Sequence, residues 1–211
     1  MRRFCGGLIV VGLLGLSAER VSAGAKSPED TFKAMGAALK EKNVKAFLAQ
    51  FTKESQSAIT GGMVMMVAMG KAFAKFDKKD GEAKAKIFDE ILSKHGLSED
   101  KLADLKDIGK DPKNLGKAMV TLGGLVKDKA SFVGDVFAAM PKVGKGENPF
   151  KELEGAKLSD VKTDGDRAAG KVTAKKGDME QTENIYFLRE DGVWRVDAIR
   201  MMQEKMDKGP K

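Results

Sequence analysis

From Ser27 to Met140 apolar residues recur every three or four positions, the period of helices with one buried face. Ser27-Pro28-Glu29-Asp30 opens the first helix. The serine caps, the proline suits the first helical position, and the two acids complement the helix dipole. Phe32, Met35 and Leu39 continue it, and Asn43 breaks the stripe and caps a second one carrying Val44, Phe47, Leu48 and Phe51. Gly61 to Gly70 reads GGMVMMVAMG, wholly apolar but too short to span a bilayer. With Met63, Met66, Val67 and Phe73 on one face it predicts a buried helix; a methionine-rich groove for varied apolar partners is the alternative. Lys78-Lys79-Asp80-Gly81 turns the chain into a helix carrying Ile87, Phe88, Ile91 and Leu92, ended by His95-Gly96. Ser98 then caps a short helix with Leu102, Leu105 and Ile108, and Asp111-Pro112 starts one with Leu115, Met119, Leu122 and Val126. Gly123-Gly124 either weakens that helix or lets another approach closely. The last stripe, Phe132, Val133, Val136, Phe137 and Met140, is expected to stop at Pro141.

Pro141 to Glu152 is rich in Gly, Lys and Pro and reads as a linker, after which the period falls from 3.6 to 2. Strands are expected over Leu158–Thr163, Arg167–Ala174, Glu180–Arg189 and Val193–Arg200, joined by turns at Asp164-Gly165-Asp166, Lys175–Asp178 and Glu190-Asp191-Gly192. Residues 201–211 read as a fraying tail. Helices first and a β-meander last predict an α+β domain, an antiparallel sheet with helices on one face.

The segment before this domain has a different character. Met1-Arg2-Arg3, an apolar run from Phe4 to Ala18, and Val21-Ser22-Ala23 before Gly24 form the layout of a secretory signal peptide over residues 1–23. An uncleaved anchor is the alternative. Cys5 lies at the start of the apolar run and not just after it, which argues against a lipoprotein site. The chain has 211 residues and a net charge of +7; cleavage after Ala23 would remove three arginines and one glutamate, leaving +5 and no cysteine. Disulfides, thiolate nucleophiles and cysteine-based metal sites would then be excluded. The expected location is periplasmic or extracellular.

Two stretches carry a family likeness. Residues 27–51 run S-P-E-D-T-F-K-A-M-G-A-A-L-K-E-K-N-V-K-A-F-L-A-Q-F; the C-terminal half has V-K-T-D-G-D-R-A-A-G-K-V and I-Y-F-L-R-E-D-G-V-W-R-V-D-A-I. Residues 27–51 and 157–200 together resemble the NTF2-like superfamily, more narrowly its small exported domains of unknown function. The resemblance implies a single domain over residues 24–200, a four-stranded meander packed by N-terminal helices, with a cone-like cavity between sheet and helices. Residues 55–140 depart from it: a long helical insertion stands where the family has a short third helix and one or two strands. The family includes enzymes, ligand binders and structural modules, so the fold alone supplies no function.

Chemistry-bearing motifs are sparse. His95, the one imidazole, sits at an expected helix end, where a cation favours the last carbonyls. Ser98-x-x-Lys101 and Ser159-x-x-Lys162 match S-x-x-K, but the companion S-D-N and K-T-G motifs are absent, as are G-x-S-x-G and a phosphate-binding loop. The Asp-Gly turns fail the calcium-loop pattern: the site before Gly81 would use Phe76 and Lys78, and the one at Gly165 would end on Lys171. No metal and no cofactor are expected. Positive charge comes from 31 lysines against 7 arginines, interspersed with acids, which speaks against nucleic acid and allows weak contact with an anionic membrane surface. The leading expectation is an exported, non-catalytic domain that binds a small apolar ligand or a protein partner, with Tyr186, Phe187 and Trp194 nearest the cavity. The alternatives are a small hydrolase or isomerase using a cavity carboxylate such as Asp197 with Tyr186, and a helical lipid carrier lined by Met63 to Phe76.

Overall fold

The computed structural model describes residues 25–74, 76–102, 114–144, 153, 155–176 and 179–208. The expected signal peptide, the helix start at Asp111-Pro112, residues Leu105 and Ile108, and the linker beyond Gly144 lie outside the described residues. Among the described residues, eight helices precede and follow a four-stranded antiparallel sheet, an α+β architecture.

Helix α1 (Pro28–Lys40) begins where expected: Ser27 Oγ accepts the Asp30 N–H at 3.1 Å. Lys42, in the left-handed region at φ 54°, reverses the chain, and Asn43 caps α2 (Val44–Leu48) by accepting from Ala46 N. Residues 50–52 then run along the last strand. Gln50 O accepts from Val196 N at 2.8 Å and Thr52 N donates to Val196 O at 3.0 Å. On the same edge Trp194 N donates to Ala25 O, and the buried Thr31 hydroxyl donates to Trp194 O at 2.8 Å. An edge that would otherwise expose unpaired backbone is thereby closed.

The long helix α3 (Lys53–Ala74) crosses α6 (Leu115–Gly124) with backbones nearly touching. A Cβ at Gly61 would lie 1.8 Å from Met119 O, and one at Gly123 would lie 1.8 Å from Ser57 O. Gly123 therefore serves close approach, while a Cβ at Gly124 would meet nothing within 4 Å. Helix α4 (Gly81–Lys94) ends as its sequence predicts, with Gly96 at φ 68° and Leu97 N bonded back to Leu92 O at 2.9 Å. A short α5 (Glu99–Leu102) follows. Helix α7 (Lys129–Val143) is capped by Asp128 and runs through Pro141 rather than stopping there. In the final turn, proline forfeits one hydrogen bond but need not break the helix.

The sheet comprises β1 (Lys157–Asp164), β2 (Arg167–Lys176), β3 (Met179–Glu190) and β4 (Val193–Val196) in the order β1-β2-β3-β4. The β3–β4 turn places Asp191 at φ 54° and Gly192 at φ 78°, as a two-residue hairpin with matching twist requires. The outer strand β1 is mostly exposed, kinked by a register shift between Ser159 and Lys162, and studded with charge, which guards it against edge pairing. One sheet face buries Ala168, Val172, Ile185, Phe187, Trp194 and Val196 in a single core with Phe47, Val64, Val67, Phe132 and Val133.

One expected element is corrected. The strand expected over Val193–Arg200 ends at Val196, and helix α8 (Ala198–Lys208) takes in most of the segment expected to fray. The switch point is Asp197, whose carboxylate accepts from Arg200 N at 3.1 Å and caps the helix, while Ser55 Oγ accepts from Ala198 N at 2.9 Å.

Candidate functional site

Strand alternation separates the three aromatic residues singled out from the sequence. Phe187 and Trp194 lie on the helix-facing side and are 1% and 5% exposed, so they are core. Tyr186 points to the other side, toward α8. Its hydroxyl donates to Glu204 Oε2 at 2.8 Å, Asn184 Nδ2 donates to Glu204 Oε1 at 2.8 Å, and the Arg200 guanidinium stacks 4.4 Å from its ring centre. The Glu204 carboxylate, aided by partial burial, holds the phenol above its ordinary pKa. A carboxylate beside Tyr186 thus exists. It is Glu204, not Asp197, it is only half-buried, and both oxygens are engaged in tying α8 to β3. Asp197 works as a helix cap.

His95 is also structural in its contacts. It closes α4 with its ring edge-on to Phe132, centres 5.1 Å apart, and Nε2 lies 2.7 Å from Asp135 Oδ2. Lys94 Nζ reaches the same carboxylate at 2.7 Å. Burial works to raise the Asp135 pKa, but the Lys94 and His95 hydrogen bonds outweigh it and hold the carboxyl below its ordinary value. Among the described residues no three His, Cys, Asp or Glu side chains gather as a metal site would require.

An apolar concavity lies elsewhere. A cleft of ≈ 460 Å³ opens between the α1–α2 elbow and the C-terminal half of α7. Leu39, Val44, Phe47, Phe137, Met140 and Pro141 line it, and Lys42 and Asn43 sit at its rim. Phe47 forms the floor, 1% exposed and packed edge-to-face on Phe51 at 5.0 Å. Gly134 and Ala138, one turn apart on α7, leave the space unfilled; a Cβ at Gly134 would meet nothing within 4 Å. The walls do not collapse because each is tied elsewhere. Thr31 and Ala25 hold the α1 region to β4, and Asp135 and Phe132 hold α7 to the end of α4.

The volume falls within the roughly 300–1,000 Å³ typical of small-molecule sites, and the lining suits an apolar body. Asn43 is occupied in capping α2, and Lys42 is the one charged residue among the described residues lining the cleft. Lys42 is also the one residue other than Asp or Gly that the described chain holds at positive φ. Lysine is costly in that conformation, where glycine would be free of penalty. From sequence, Leu39, Val44, Phe137 and Met140 all read as core positions; the signal that they border a void is the small pair Gly134 and Ala138 facing them.

The methionine-rich helix divides between two fates. Met63, Val64 and Val67 are buried, whereas Met66 and Phe73 are 42% and 64% exposed. The expectation that Met66 and Phe73 share the buried face with Met63 and Val67 is therefore corrected. At about 100° per residue, positions three and ten residues after Met63 swing roughly 60–80° away from it.

No protein-family model, curated protein or solved structure matches this chain.

Proposed function

We propose that the chain is an exported, non-catalytic binding domain that takes an amphipathic ligand, an aliphatic chain ending in a carboxylate or similar small anion, into the cleft between the α1–α2 elbow and α7. The observation that carries this reading is an apolar cleft of ≈ 460 Å³ with Lys42 among its lining residues. The left-handed backbone of Lys42 is the close of α1, with Lys42 N bonded to Leu39 O and Asn43 N to Ala38 O. The aliphatic chain would lie against Phe47, Val44 and Met140, and the head would meet Lys42. The helix pair followed by a meander is also the arrangement expected of an NTF2-like domain. The binding site proposed here is nonetheless cut into the helices, not between helices and sheet. The signal-like start of the chain supports export.

A homologous series of n-alkyl carboxylates tests this by calorimetry. Each added methylene should tighten binding by about fourfold, from about 0.8 kcal/mol per buried CH₂, until the cleft is full. An n-alkyl ammonium of equal length should bind more weakly than the carboxylate, and Lys42→Glu should reverse that order. Affinity independent of chain length, or no binding at any length, would refute the reading.

A further inference from the structure

Helix α3 carries a second apolar line, independent of the cleft. Ile59, Gly62, Met66, Met69 and Phe73 follow at spacings of three and four, the seam of an amphipathic helix, and Phe76 keeps the spacing in the turn beyond the helix end at Ala74. Its first two members are half-buried: Ile59 and Gly62 line a shallow pocket with Ala198, Met201 and Met202 of α8. The rest emerge progressively. Met66, Met69, Phe73 and Phe76 are 42%, 49%, 64% and 82% exposed, toward the α3–α4 turn. The opposite side of the helix is fixed in the core, with Thr60 and Val64 fully buried and Val67 1% exposed. Although α3 is long and apolar enough to cross a bilayer, crossing would tear that side from the fold.

The turn that ends the line is basic. Residues 71–86 contain six lysines and three acids. Lys78 and Lys79 are exposed beside Phe76, while the exposed Asp77 is engaged by Lys84 Nζ at 2.6 Å and by the backbone N–H groups of Lys79 and Asp80. Those contacts, the Lys84 bond foremost, press the Asp77 pKa to about 2. Two phenylalanines at a tip, methionines behind them and lysines alongside match what lies flat in an anionic lipid interface. A second copy of the chain would bring two such lysine clusters together, which charge opposes. We infer that the exposed line of α3 and the turn after it, led by Phe73 and Phe76, docks this protein on an anionic bilayer surface, with Lys78 and Lys79 meeting the lipid headgroups.

The test uses the full chain carrying Phe76→Trp, with vesicles of phosphatidylcholine alone or mixed with phosphatidylglycerol, acyl chains brominated. The native Trp194 is core and serves as an unquenched internal reference. The indole placed at position 76 should shift blue and be quenched only when phosphatidylglycerol is present. Adding Lys78→Glu and Lys79→Glu should weaken partitioning at least about thirtyfold, from the attraction a surface lysine feels toward anionic lipid. These positions are exposed, so folding is preserved and is checked by an unchanged melting temperature. Two results would overturn the inference: an indole that stays unquenched while the protein pellets with vesicles, which assigns binding to another segment, and a blue shift without vesicles that grows with protein concentration, which assigns the surface to self-association.

Discussion

Glycine closes one helix junction of this protein and opens another. At the α3–α6 crossing, Gly61 and Gly123 each stand under 2 Å, in Cβ terms, from the other helix's carbonyl oxygens, so the missing side chains are what allow contact. At the α1–α2 elbow facing α7, Gly134 has no atom within reach, so its missing side chain leaves a hole. The same residue in the same secondary structure therefore has opposite energetic meaning. The difference lies in what holds the partner. The α3 and α6 backbones meet directly, whereas α1 and α7 are each fastened to a third element. A void persists where its walls are pinned; where they are free to close, a packing seam forms.

Substitution at the seam gives the largest effect. Gly61→Ala or Gly123→Ala puts a methyl into backbone that cannot yield, and urea unfolding should show a loss of about 3 kcal/mol or more. A loss below about 1 kcal/mol would mean that the two helices part easily and that the contrast is false. Next comes a pin of the cleft. Thr31→Val removes the buried hydroxyl that donates to Trp194 O. Leaving that carbonyl unpaired should cost about 1–3 kcal/mol by the same assay, and ligand affinity should fall as the α1 wall loosens. Gly134→Leu has the opposite sign: helix propensity and filled space should raise stability by about 1 kcal/mol while binding is lost. Lys42→Gly should likewise stabilise by about 1 kcal/mol, through relief of the left-handed backbone, and weaken carboxylates specifically. A stabilised Lys42→Gly with unchanged carboxylate affinity would remove the ammonium from the site.

The smallest effect concerns the other pin. Asp135 has a folded pKa below its unfolded value, so its contribution is fully present above about pH 4, the unfolded carboxylate value, and is lost as pH falls through the folded pKa. Asp135→Asn should lower stability near neutrality and flatten the acid side of the stability–pH curve relative to the native chain. Parallel curves for the two proteins would show that the contacts of Asp135 with His95 and Lys94 contribute nothing to holding α7.

Much of the fold was legible because local signals agreed with packing. Ser27, Asn43 and Gly96 sit at helix ends as their chemistry dictates, and the four strands of the meander begin within a residue of the expected positions. Helix α8 was hidden because Trp194, Val196 and Ala198 alternate like a strand through its start. Its own signals, the Asp197 cap and Ala198, Met201 and Met202 at helical spacing, were present but weaker. The cleft was not legible at all. An apolar stripe states that a face avoids water, not whether protein or a ligand covers it, and Val44, Phe137 and Met140 look like core until the gap opposite Gly134 is measured. The same ambiguity concealed the exposed half of α3, where a shift of less than a quarter turn separates Met63 from Met66.

The central claim, that the void facing Gly134 is a ligand site rather than a packing fault, is tested most directly by calorimetric titration of a long-chain n-alkyl carboxylate into the native chain and into Gly134→Leu. Melting temperatures are recorded on the same samples. The account predicts saturable binding to the native protein, none to the variant, and a higher melting temperature for the variant without ligand. Equal binding to both proteins, or a variant that melts lower because the space was not there to fill, would contradict it.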